Sequence, residues 1–260
     1  MAESSRSPAR DGNAAAMTHG ALSETPTLVI FDIDGTLLDS AAAHDRVAID
    51  VLARHGLDVL AKPWEAYRAY TDSAVTNEVY EDKHGIPADP EFIAELERLY
   101  AKEFDAHVST GAVDEIAGSR KLLAELATRR DVYGAFATGS FRALARTKLR
   151  VLGVEPDDAQ LATGTEHDNR AEIVRDAIGQ ASRRHKIDDW RMVILGDGKW
   201  DELTARHLGI PLVGVQTDSH RFADDTALVV DDLRPVRVDT LVGLSARIEG
   251  LAESAPPDGR

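Results

Sequence analysis

The chain contains no cysteine, which removes a disulfide framework, a thiolate zinc site and a cysteine nucleophile together. Any nucleophile is therefore oxygen or nitrogen. Positive charge is also short: 30 Lys and Arg stand against 45 Asp and Glu, a formal net charge of −15. That balance argues against nucleic acid or an anionic membrane as partner, because both demand a field of lysine and arginine. Small molecules remain. No stretch reaches the ~18 apolar residues of a spanning helix. The first 26 residues hold Glu3, Asp11 and Glu24 among Ala and Ser, with no apolar signal segment, so the expected compartment is the cytoplasm.

What is present is ample apolar material, 43% of 260 residues, enough for one large domain or two modest ones. Residues 1–26 have no periodicity and predict a disordered leader, and the tail 251–260, with Pro256, Pro257 and Gly259, reads the same way. Between them, short apolar runs at residues 28–31, 132–137, 192–195, 212–215 and 227–230 predict buried parallel strands. Helical spacing separates them: Leu144, Lys148, Leu149 and Leu152; then Ile173, Val174, Ala177, Ile178 and Ala181; then Leu203 and Leu208. Alternating strand and helix predicts a doubly wound, mainly parallel, Rossmann-like α/β core over 27–42 and 114–250. Residues 43–113 break the rhythm with helical spacing and no strand, and predict an inserted all-α domain.

Three strands stop at residues that can do chemistry. The first runs into Asp32-Ile33-Asp34-Gly35-Thr36, two carboxylates separated by one residue. Period-two alternation points Asp32 and Asp34 the same way and Ile33 back into the protein. At the carboxyl end of a parallel strand such a pair suits a divalent cation and a reaction, although Asp34-Gly35 alone also reads as a turn. Another strand ends in Thr138-Gly139-Ser140, an anion cradle or a plain helix N-cap. A further one ends in Gly196-Asp197-Gly198-Lys199-Trp200-Asp201. This begins like a dinucleotide fingerprint, but Asp201 stands where the last glycine belongs, and two carboxylates would repel a pyrophosphate. Arg170, just before a helix expected from about Ala171, reads by itself as a solvated charge, on a helix that leads into the strand carrying Asp197.

Taken in order, these motifs resemble the haloacid dehalogenase-like superfamily of phosphatases and phosphotransferases, over residues 27–233. The resemblance implies a phosphatase, with phosphoglycolate phosphatase-like enzymes as the nearest type and 43–113 as the helical cap. It implies that Asp32 attacks phosphorus to give an aspartyl phosphate and that Asp34 acts as general acid, then base. Mg2+ would be held by Asp32, the main-chain carbonyl of Asp34 and Asp197, with Asp201 orienting that shell. Thr138, the Gly139 amide and Arg170 would hold the phosphoryl oxygens. The family more often has Lys-Pro where this chain has Arg170-Ala171, so Lys148 and Lys199 stand as fallbacks. In the expected cap, Thr71-Asp72-Ser73 is a candidate loop facing the phosphate and His44 a candidate hinge residue, each also readable as ordinary surface. The expected partner is a small phosphorylated metabolite. Asp34 argues against a dehalogenase, which needs no proton donor for its leaving group. A phosphonatase would need a cap lysine from Lys62, Lys83 or Lys102. A phosphosugar mutase and a non-catalytic phosphoacceptor or binding protein remain as alternatives.

Overall fold

A computed structural model describes residues 25–63, 66–157, 159–218 and 220–248. Most of the expected leader and all of the expected tail lie outside the described residues. The core is a sheet in the order β5-β4-β1-β6-β7-β8, formed by Leu161–Thr163, Val132–Thr138, Thr27–Phe31, Arg191–Gly196, Leu212–Val215 and Leu228–Val230, all parallel. A seventh strand, β9 (Ala246–Arg247), pairs antiparallel with β6. The five strands expected from apolar runs are all present. β5 was not expected, because three residues carry no readable alternation.

β1 shows why the sheet is covered on both faces. Its side chains alternate: Val29 and Phe31 enter one apolar cluster, Leu28 and Ile30 the other. In β6, Val193 and Leu195 join the first cluster and Met192 and Ile194 the second. The second face is covered by α6 (Arg170–His185) through Ile173, Val174, Ala177 and Ala181, and by α7 (Lys199–Leu208) through Ala205 and Leu208. Leu203 departs from expectation: it is 51% exposed. On a helix it lies about 200° around from Asp201, and Asp201 is the buried residue.

The first face receives α4 (Ser119–Ala127), α5 (Arg142–Val151) and α8 (Val238–Leu244), and three helices inserted after β1 continue the same apolar cluster, the third of them packed against α5. These are α1 (Ala41–Arg54), α2 (Asp72–His84) and α3 (Pro90–Ser109). The chain enters this insertion through β2 (Leu38–Asp39) and leaves through β3 (Asp114–Glu115), which pair antiparallel, so the two crossings are tied together. Leu96, Tyr100 and Phe104 recur every four residues on α3 and bury one stripe. Tyr100 meets Phe141 of the core edge to face, with centroids 5.2 Å apart. α2 starts at Thr71, whose hydroxyl accepts from Ala74 N, and stops at Gly85 in the left-handed region.

β1 lies between β4 and β6, and the chain builds outward from it first through β4 and β5, then through β6, β7 and β8. Asp32, Thr138 and Asp197 therefore emerge side by side at the carboxyl ends of three adjacent strands, where open α/β sheets place ligands.

Candidate active site

The first feature is a buried acidic cluster. Asp32 extends the pairing of β1 by donating its N–H to Leu195 O at 3.0 Å, and Ile33 is buried behind it. Gly35 then turns the chain with φ +75°, and a Cβ there would lie 2.2 Å from Asp197 Oδ2. Only glycine permits both the turn and the approach. Asp197 accepts from Thr36 Oγ1 at 3.1 Å, and Asp201, in the first turn of α7, accepts from Gly198 N at 3.1 Å. Asp32, Asp197 and Asp201 each offer an oxygen, all within 4.8 Å of one another. Arg170 bridges two of them, donating from Nη2 to Asp32 Oδ1 at 3.0 Å and to Asp201 Oδ1 at 2.6 Å.

Asp34 has a different set of partners. Ser40 donates to its Oδ1 at 2.5 Å; Ser140 and Lys148 donate to its Oδ2 at 2.9 and 2.6 Å. Lys148, on α5, is wholly buried and also reaches His44 Nδ1 at 3.1 Å. The two carboxylates of the first motif thus answer to separate cations, Asp32 to Arg170 and Asp34 to Lys148.

Their proton affinities separate accordingly. Burial, then the Asp201 charge, pushes Asp32 up to about 7 against the pull of Arg170. Asp197 rises to about 8, again through burial and then the charges of Asp32 and Asp201. Burial would also raise Asp34, but the Lys148 ammonium and His44 outweigh it and hold the carboxyl well below the usual range. For His44, burial and Lys148 favour the neutral ring, yet Asp72 and Asp34 prevail and raise it to about 9. The contact from Lys148 requires a lone pair on His44 Nδ1, while the flanking carboxylates favour the imidazolium; the two demands compete at one nitrogen.

The charges test whether a metal fits. Asp32, Asp34, Asp197 and Asp201 face two fixed cations, Arg170 and Lys148. Two negative charges are left over, the charge of one divalent cation. The donors are carboxylate oxygens without thiolate or imidazole, the chemistry of a hard cation. The cluster can hold such an ion.

The third feature is a cradle of close backbone approaches. Thr138, buried at the end of β4, accepts from Ser140 N at 3.1 Å. A Cβ on Gly139 would lie 2.5 Å from Tyr70 O and 2.9 Å from Arg170 Nη1, and one on Gly164 would lie 2.2 Å from Gly139 O. The insertion is stitched to this loop by the expected Thr71-Asp72-Ser73 segment. Asp72 N donates to Gly139 O at 2.9 Å, Asp72 Oδ2 accepts from Phe141 N at 2.8 Å, and Asp72 Oδ1 meets His44 Nε2 at 2.9 Å. Ser73 Oγ donates to Gly164 O and to Asp168 Oδ1. Glu97 of α3 accepts from Ala143 N at 2.8 Å near the start of α5.

Of the expected residues, Asp32, Asp34, Asp197, Asp201, Thr138, Gly139 and Arg170 gather in this one region, and His44 and Asp72 border it. Lys199 is exposed at the start of α7. Arg170 is itself the first residue of α6, capped by Asn169. Ser40 and Ser140 were not expected as partners of Asp34. Nor was Lys148, although an ionisable residue within the apolar spacing of α5 was the available signal.

No protein of curated function matches this sequence. Among solved structures, CbbY from Rhodobacter sphaeroides in complex with phosphate is similar at 20% identity and a TM-score of 0.59, over 84% of this chain and 99% of that one. A mutant of CbbY bound to xylulose-(1,5)bisphosphate gives 20% identity and 0.58 over 83% and 99%. A candidate β-phosphoglucomutase from Bacteroides vulgatus gives 20% and 0.57 over 83% and 88%. At this identity the likeness concerns the fold. The family model for haloacid dehalogenase-like hydrolases matches residues 29–215, and the chain belongs to that family.

Proposed function

We propose that this protein is a magnesium-dependent phosphatase acting on a small organic phosphate monoester in the cytoplasm, with the helical insertion as its cap. One observation carries the reading. Arg170 touches Asp32 through Nη2, and its Nη1 packs against the site of the missing Gly139 side chain. Nucleophile, fixed cation and backbone cradle therefore share one small space.

In that space Asp32 attacks phosphorus in line while Arg170, Thr138 and the Gly139 amide hold the oxygens, forming an aspartyl phosphate and expelling the alcohol oxygen. A phosphoryl group seated there brings negative charge toward Asp34, which raises its proton affinity against Lys148. Asp34 passes its proton to the departing oxygen and later takes one from the water that opens the aspartyl phosphate. Magnesium, held by Asp32, Asp197 and the main-chain carbonyl of Asp34 with Asp201 beside it, would supply the positive charge that four carboxylates leave unbalanced. The cap contacts through Asp72 and Ser73 cover the cradle and exclude water from it.

The test is phosphate release from p-nitrophenyl phosphate and a panel of sugar phosphates and bisphosphates, with magnesium, with EDTA and with Asp32→Asn. Sugar bisphosphates belong in the panel because CbbY was solved with one. Release that stops with EDTA and in the variant is expected. Metal-independent turnover, or full activity of Asp32→Asn, overturns the mechanism. Isomerised sugar phosphate without free phosphate replaces the phosphatase with a mutase, and binding without turnover replaces it with a phosphate-binding protein.

A further inference from the structure

Lys148 is not absorbed by this mechanism. Its side chain is fully buried, a position that an ammonium tolerates only when its donors are all engaged. Two of its donors find firm acceptors, Asp34 Oδ2 at 2.6 Å and Ser140 Oγ at 2.8 Å, and Nζ lies 3.1 Å from His44 Nδ1, which accepts when the ring is neutral. The Phe104 ring of α3 closes another side, with its centroid 5.2 Å from Nζ. The short hydrogen bonds of Lys148 go to Asp34 and Ser140, and Arg170 already stands at Asp32.

The contacts form a closed triangle. Ser140 accepts from Lys148 and donates to the same Asp34 oxygen, at 2.9 Å. Ser40 holds the other oxygen. The plane of the Asp34 carboxylate is thereby fixed from both ends. From the triangle a chain of contacts runs to the insertion: His44 joins Lys148 to Asp72, and Asp72 binds Gly139 O and Phe141 N of the cradle.

We propose that Lys148 is a positioning residue for Asp34, and that through His44 it ties the orientation of the acid to the seating of Asp72 on the Gly139 loop. Proton donation to a poor leaving group is then efficient only with the insertion closed. This rests on the phosphatase reading above.

The experiment compares two esters that differ in their need for an acid. p-Nitrophenolate leaves without a proton; the alkoxide of benzyl phosphate does not. Loss of a general acid costs roughly 100-fold or more. Lys148→Met is expected to lower kcat/KM, which covers only the steps up to alcohol release, on benzyl phosphate by about that factor and on p-nitrophenyl phosphate by less than about fivefold. Ser140→Ala, which keeps the buried ammonium and removes one leg of the triangle, shifts the ratio in the same direction and serves if Lys148→Met does not fold. Asp72→Ala shifts it by about tenfold, as expected of a more distant contact. Equal losses of kcat/KM on both esters in Lys148→Met, or in Ser140→Ala where that variant serves, overturn the positioning role, because a merely structural defect does not discriminate. An unchanged ratio in Asp72→Ala overturns the tie to the insertion. If the wild-type protein cleaves neither ester, the phosphatase reading falls first and this inference with it.

Discussion

Replacing Asp197 by asparagine separates the electrostatics of the acidic cluster from its shape. The amide keeps an oxygen to accept from Thr36 Oγ1, now at 3.1 Å, so charge is the main thing removed. Like charges at 4.8 Å, the span of the cluster, repel by about 3.5 kcal/mol at an effective dielectric of about 20. Arg170 ion-pairs with Asp32 and Asp201, so the repulsion borne by Asp197 lacks an equally direct offset. Allowing for relaxation around the ionised carboxyl, a net gain of about 2–3 kcal/mol is expected for metal-free Asp197→Asn above pH 8. At about 2–4 °C per kcal/mol for a chain of this size, Tm rises by about 5–10 °C. The pH dependence has a definite sign. With a folded value of about 8 against the ordinary 3.8, the folded state keeps a proton that the unfolded state has lost. Wild-type stability therefore falls as pH rises through that window, and the gap to the variant opens from about pH 4 to about pH 8. Magnesium at about 100 times its Kd adds about 2.7 kcal/mol to the wild type, and the variant loses most of that response. Scanning calorimetry in EDTA and in magnesium reads both effects. A variant no more stable than wild type at any pH, or one that retains the full magnesium shift, refutes the reasoning.

Arg170→Lys replaces a fork that reaches Asp32 and Asp201 together with a point charge. Losing one charge-assisted bond costs about 1.5–3 kcal/mol, so kcat/KM on p-nitrophenyl phosphate falls by roughly 10–100-fold; an unchanged value contradicts the bridging role. Gly35→Ala and Gly85→Ala both force a side chain into the left-handed region, at φ +75° and +73°, but only the first meets a neighbour, Asp197 Oδ2 at 2.2 Å. Both lower Tm through a backbone cost of about 1–2 kcal/mol, and only Gly35→Ala loses the magnesium shift in calorimetry. In α7, Leu208→Ala costs about 2–4 kcal/mol in urea unfolding, because Leu208 is buried. Leu203→Ala changes stability by less than about 0.5 kcal/mol, and a large loss would show that the exposed face is covered in solution.

The carboxylates were legible because each sits where a buried run stops. Leu28 to Phe31 and Met192 to Leu195 read as strands, and a polar residue after a buried strand is conspicuous whatever its partners are. Partnership is what the sequence left dark. Lys148 fits the apolar spacing of α5 as if it were a leucine, and only the turn after β1, the loop after β4 and the return of α1 bring the polar partners that let it stay buried, Asp34, Ser140 and His44. Asp72 reads as an ordinary residue of a helix start, since Thr71 caps α2 locally. Its two long-range contacts depend on how the insertion folds back. Leu203 failed for a related reason. Helical spacing fixes a period but not which stripe faces inward, and in α7 the inward stripe is set by a carboxylate, Asp201, rather than by the largest apolar residue.

The same contacts bear on how so acidic a chain could receive the phosphate ester proposed above. Surface carboxylates farther than about 8 Å are screened at physiological salt, so the net −15 says little about the cradle. Locally, four carboxylates outnumber Arg170 and Lys148 by two, and the two cations are spent on different tasks: Arg170 on the side of Asp32, Lys148 on the side of Asp34. Without a divalent ion the crowding is relieved by protons, with Asp32 and Asp197 raised to about 7 and about 8, and an incoming phosphate dianion would add to it. With the proposed ion in place the charges of the four carboxylates and two cations would sum to zero, and Arg170, beside Asp32 and Gly139, would be the fixed cation nearest the cradle. The proposed phosphatase is therefore expected to take its cation before phosphate, and phosphate binding that is equally tight in EDTA contradicts this order.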